Sequence, residues 1–145
     1  MKTYILLFIS LFSINSFAIS NSYEFEHLVK ADDFNFREVL EQKEWSILIF
    51  NNGYCPLQRS KLRCYPVEVK MNYFAPNILA RNNNIQILNI DMQSSFIHNR
   101  YFVSSTPTVI FLLDGAEMIR FDRMRNPNLL VQQILDEVFK IPSQF

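Results

Sequence analysis

The stretch Ile47-Leu48-Ile49-Phe50-Asn51-Asn52-Gly53-Tyr54-Cys55-Pro56 decides how this chain is read. Together with Trp45 and Ser46 it forms an almost continuous apolar run rich in isoleucine, closed by the turn formers Asn51-Asn52-Gly53. A short run without polar alternation reads as a strand covered on both faces, which puts it in the middle of a sheet. A cysteine, Cys55, follows directly after the turn.

Working toward the N-terminus, Asp32 or Asp33 can cap a helix that carries Phe36, Val39 and Leu40 on one face and ends near Gln42. Before it, Tyr23 and Phe25 alternate with polar residues as a short strand would. Working toward the C-terminus, residues 66–80 read as mostly helical, and residues 85–90 as a short strand whose β-branched side chains point to burial. The order is then βαβαβ. Residues 94–102 have the look of a short helix. Residues 108–113 form a third apolar strand that runs into Asp114-Gly115, a strong hairpin signal, and residues 117–121 return. Asn126 or Asn128 can cap a last helix, on which Leu130, Ile134, Leu135 and Val138 recur at helical spacing. The expected fold class is α/β, a central mixed sheet of four to five strands flanked by helices.

The composition agrees with one ordinary core. The chain has 145 residues, 49% of them hydrophobic, with 14 Phe and 6 Tyr against 2 Gly. Few positions therefore demand a left-handed backbone, and aromatic packing carries much of the interior. Lys plus Arg and Asp plus Glu number 14 each, so the overall field offers no attraction to nucleic acid or to an anionic membrane. No nucleic-acid partner is expected.

The first residues read differently from the rest. Lys2 supplies a positive charge, residues 4–12 are almost unbroken apolar sequence, and Ser16-Phe17-Ala18 fits the small-x-small rule of signal cleavage. The expected division is a signal peptide at 1–18 and one domain at 19–145. The alternative, a retained membrane anchor, falls short of the ~20 apolar residues that a spanning helix needs. Export follows, with a bacterial periplasm as the expected compartment. Two cysteines in one exported domain usually end as a disulfide or a redox pair.

The element order and three motifs resemble the thioredoxin superfamily across nearly all of residues 19–145. The first is the strand-and-cysteine segment quoted above. The second is Leu88-Asn89-Ile90-Asp91, similar to the family's strand leading into its third helix. The third is Tyr101-Phe102-Val103-Ser104-Ser105-Thr106-Pro107-Thr108, similar to the segment in which the family keeps a cis-proline facing the active site. The resemblance implies thiol-disulfide exchange with protein thiols or disulfides, with Cys55 as nucleophile and Cys64 resolving it. It also implies substrate contacts at Tyr54, Pro56, Thr106 and Pro107, a membrane or soluble redox partner, and no cofactor. A helix N-terminus after Cys55 would favour its thiolate, and Arg59, Lys61 and Arg63 would add to the effect.

The chain departs from that pattern in two places. Family members separate their two cysteines by two residues, whereas Cys55 and Cys64 have eight between them. On one continuous helix nine steps of ~1.5 Å would part the Cα atoms by ~13 Å, about twice what a disulfide tolerates. A bond between them therefore requires residues 56–63 to be a loop, with the helix restarting near Cys64 and Pro66 in its first turn. The second departure is Ile49, which stands where many relatives hold a buried carboxylate that moves protons to and from the resolving thiol. A non-catalytic binding module with a structural Cys55–Cys64 bridge is the competing function. Soft-metal binding is the weakest reading, because His27 and His98 lack ligand spacing to a cysteine and read as lone surface histidines. Tyr65, Tyr73 and Phe74 read as core packing.

Overall fold

The computed structural model describes residues 25–52, 66–122 and 126–143. Among these residues nine elements follow one another: β1 (Val29–Ala31), α1 (Phe36–Leu40), β2 (Trp45–Asn51), α2 (Pro66–Arg81), β3 (Ile85–Asp91), α3 (Ile97–Arg100), β4 (Thr108–Leu113), β5 (Ala116–Phe121) and α4 (Pro127–Lys140). They build one five-stranded mixed sheet in the order β1-β3-β2-β4-β5. β1 and β2 run parallel to β3, whereas β4 runs antiparallel to both β2 and β5.

The isoleucine-rich run is the central strand, as its lack of alternation requires. From Ser46 to Asn51 every residue of β2 is buried, because helices cover both faces. Ile47 and Ile49 share one core layer with Val67, Met71, Ala75 and Ile78 of α2 and Leu130, Val131, Ile134 and Val138 of α4. Leu48 and Phe50 share the other with Phe36 and Val39 of α1 and Ile97 and Tyr101 of the α3 region. The strand's period of two thus sorts its side chains between two helix pairs.

Local signals explain most boundaries. Pro66 opens α2, where its missing N–H costs nothing, and the helix continues through Pro76. Asp114 and Gly115 both take positive φ, 48° and 79°, the conformation of a two-residue type I′ hairpin between β4 and β5. Asn126 caps α4, its Oδ1 accepting the N–H groups of Asn128 at 3.0 Å and Leu129 at 3.3 Å.

Several expectations shift. The first strand is Val29–Ala31, not the Tyr23 and Phe25 alternation; Phe25 packs against the core ahead of it, and Tyr23 lies outside the described residues. Three residues pairing with one neighbour, β3, leave too short a pattern to read. The helix after Asp32 begins at Phe36 and ends at Leu40. Asp32 closes the preceding turn, its Oδ1 taking the N–H groups of Phe34 at 2.9 Å and Asn35 at 3.1 Å. Asp33 instead reaches across the molecule to the Phe96 N–H at 2.9 Å and the Ser95 hydroxyl at 3.0 Å, anchoring the start of α3. α3 itself is confined to Ile97–Arg100. On α2, Tyr73 is 76% exposed, so it is no core residue; Phe74 packs partly against the core, and Tyr65 lies outside the described residues. On α4, Val131 is buried while Leu135 is only half-buried.

Candidate functional site at the cis-proline edge

Parallel strands present their C-terminal ends on one edge of a sheet. Here β2 ends at Asn51 and β3 at Asp91, aligned in register, and the Met92 N–H donates to the Asn51 carbonyl at 2.9 Å. The Asn51 side-chain amide donates to Asn89 Oδ1, tying the two strand ends together through side chains as well. Asp91 then shapes the turn that leaves the sheet, accepting the Gln93 N–H at 2.8 Å and the Ser94 hydroxyl at 3.1 Å.

The antiparallel strand β4 begins on the same edge, Thr108 lying opposite Phe50. The peptide bond just before it, Thr106–Pro107, is cis, as the family resemblance implied. Pro107 is buried and Thr106 half-buried. The Thr108 hydroxyl donates to the Ser105 carbonyl at 2.7 Å, closing the turn around them. Upstream, the Val103 N–H donates to the His98 carbonyl at 2.9 Å, and Phe102 takes a left-handed φ of 54° with its ring almost wholly exposed.

Arg120 of β5 braces this segment. Its Nη2 donates to the Tyr101 carbonyl at 2.7 Å, while Nε and Nη2 grip the Glu117 carboxylate at 2.8 and 2.7 Å. That bidentate hydrogen bonding holds the Glu117 carboxyl below its usual range and raises Arg120. Burial pushes the Tyr101 hydroxyl up. His27 and His98, expected as lone surface residues, are half-buried, and His98 Nδ1 sits 2.8 Å from the Ser95 carbonyl.

Of the anticipated site residues, Thr106 and Pro107 are brought to the edge where β2 ends. Tyr54, Cys55, Pro56 and Cys64 lie outside the described residues. Ile49, by contrast, is fully buried between Asn89 and Val109 in an apolar layer. Sequence reasoning missed Glu68. Only 4% exposed in the first turn of α2, its Oε1 has no hydrogen-bond partner among the described residues, and burial pushes its carboxyl up to about 7 against the milder pull of its own backbone N–H. In sequence it looks like an ordinary acid placed favourably at a helix start. Its position beside Val67, one turn before Met71, was the available signal.

No family model matches the sequence, and no curated protein matches it either. Solved structures do. Human ERp44 in a zinc-bound form superposes with a TM-score of 0.58 at 18% identity over 77% of this chain, which spans 30% of that protein. Thioredoxin from Trypanosoma brucei brucei gives 0.57 at 18% identity, covering 81% of this chain and 96% of its own. The first thioredoxin domain of mouse protein disulfide-isomerase A4 gives 0.56 at 20% identity, covering 75% and 74%. With the sheet order, the two helix pairs and the cis-proline before β4, these similarities identify the fold of this chain as that of the thioredoxin superfamily.

Proposed function

We propose that this protein is an exported thiol-disulfide oxidoreductase that exchanges disulfides with protein substrates through Cys55 and Cys64. The observation that carries the reading is the cis Thr106–Pro107 turn, set at the edge where β2 ends at Asn51; in the sequence Cys55 follows Asn51 by four residues. Cys55 thiolate attacks a substrate disulfide, one substrate sulfur leaves, and a mixed disulfide forms. Cys64 then attacks Cys55, releasing the second substrate sulfur and closing the Cys55–Cys64 bond. Thr106, Pro107, Tyr54 and Pro56 form the substrate-facing surface, and a separate membrane or soluble partner returns the pair to its working state. The leader at 1–18 would deliver the domain to an oxidising compartment, in our reading a bacterial periplasm.

A second reading is favoured by one observation, the fully buried Ile49. An isoleucine there cannot move protons, which suits a binding module in which the Cys55–Cys64 bond is structural. Rapid reduction of a protein disulfide such as that of insulin, abolished by Cys55→Ser, supports the oxidoreductase. Binding to a reduced or oxidised partner without turnover supports the module.

A further inference from the structure

Two phenylalanines stand in water at the sheet edge that carries the cis-proline turn: Phe34 is 99% exposed and Phe96 75%. A single exposed apolar side chain needs no explanation, but these two are built in together. β1 ends at Ala31, opposite Ile90 of the parallel β3, and β3 ends at Asp91. Phe34 lies in the turn that leaves β1, and Phe96 directly precedes α3 in the turn that leaves β3. The consecutive acids Asp32 and Asp33 fix both backbones. Asp32 Oδ1 accepts the Phe34 N–H at 2.9 Å, and the Asp33 carboxylate accepts the Phe96 N–H at 2.9 and 3.0 Å and the Ser95 hydroxyl at 3.0 Å. The buried Ser95 in turn accepts the Ile97 N–H at 3.1 Å, so the chain is held on both sides of Phe96.

Aromatic rings on a pinned backbone lose little freedom when a partner covers them, which is the property of a docking anchor. Resting on the exchange reaction above, we propose that Phe34 and Phe96 form a docking site for an apolar, unfolded segment of the protein substrate.

Position names the occupant. The sheet runs β1-β3-β2-β4, and Thr108, the first residue of β4, lies opposite Phe50, one step before the end of β2. The ends of β3 and β4 are thus two strand spacings apart, about 10 Å, a distance that about three residues of extended chain span. A polypeptide lying on the cis Thr106–Pro107 turn reaches the β3 turn with Phe96 within a few residues, and the β1 turn with Phe34 one strand further on. The site is therefore continuous with the substrate-facing surface. An unfolded chain offers contiguous apolar side chains of a kind that a folded surface rarely presents. Charge disfavours the other apolar occupant, an anionic lipid surface. Among the described residues, the charged groups in the turns and strand ends of this edge are Asp32, Asp33, Asp91 and Asp122, all acidic.

Fluorescein-labelled ribonuclease A, reduced and carboxamidomethylated so that it has neither fold nor disulfide, probes the site by anisotropy with the full chain, and insulin reduction is followed in parallel. Expected is saturable binding that weakens about tenfold in the double variant Phe34→Ser, Phe96→Ser and is unchanged in Met118→Ser, an exposed apolar residue of β5. Folded ribonuclease A should not bind. Both rings are exposed, so the double variant should keep the native urea midpoint; if it does not, Phe34→Ser alone carries the test, with an expected loss of about threefold. Equal binding by the native protein and the variant overturns the docking site and leaves the exchange reading standing. Equal binding of folded and unfolded ribonuclease overturns the assigned substrate class. Sedimentation with phosphatidylglycerol vesicles that is lost in the variant overturns the polypeptide occupant in favour of lipid. No insulin reduction by the native protein overturns the exchange reading, and the substrate assigned to this face with it.

Discussion

The Thr108 hydroxyl donates to the Ser105 carbonyl at 2.7 Å, so the first side chain of β4 fastens the loop that precedes it. Thr108 is 1% exposed, and no water competes for that hydroxyl. Thr108→Val keeps the shape and removes the donor. An expected loss of about 1–2 kcal/mol in urea unfolding follows from leaving the carbonyl unpaired. Thr108→Ser, which keeps the hydroxyl, should recover most of it.

Glu68 makes stability depend on pH in an unusual direction. Its folded carboxyl stands at about 7 against an ordinary 4.5, so the folded protein holds a proton that the unfolded chain has already lost. Stability should therefore fall as pH rises from about 4.5 to about 7 and level off above. At about 1.4 kcal/mol per pH unit the decline reaches about 3.5 kcal/mol. Denaturant titrations at several pH values check this, and Glu68→Gln should flatten the curve.

Arg120 and Glu117 act with the opposite sign. The Glu117 carboxyl is held low, so the stability it contributes is present above its ordinary value and is lost as pH falls through the folded one. The pair is partly exposed, which keeps its own worth under about 1 kcal/mol. Arg120→Met also frees the Tyr101 carbonyl and should cost about 1–2 kcal/mol in the same assay, more than Glu117→Gln.

Asn126 offers a cleaner local test. Its side chain satisfies two N–H groups at the start of α4, and Asn126→Ala should lower stability by about 1 kcal/mol without altering exchange. Thermal unfolding and the reduction of insulin check the two halves of that statement.

How far these features were legible depends on what marks them locally. β4 runs Thr108–Leu113 as read, because Asp114-Gly115 can only turn there. β2 was legible because burial on both faces suppresses polar alternation. β1 was not, since three residues on a sheet edge carry no period. Tyr73 misled because an aromatic beside a core residue on a helix can sit one step off the inward stripe. Asp33 was recognisable as a cap former, but its partners, Ser95 and Phe96, lie more than 60 residues away and have no local signature. Thr106 and Pro107 were marked by motif. Glu68 was passed over because a helix start accounts for an acid without any burial, and its place beside Val67 and one turn before Met71 was the weaker signal.

The central claim is that Cys55 and Cys64 form an exchanging pair, and their reduction potential tests it most directly. Equilibration of residues 19–145 with glutathione, read by thiol alkylation with Cys55→Ser and Cys64→Ser as controls, should give a value between about −120 and −270 mV, with Cys55 alkylating rapidly at low pH. A value below about −300 mV, or no bond between the two cysteines, would contradict the account and leave a binding module on the same fold.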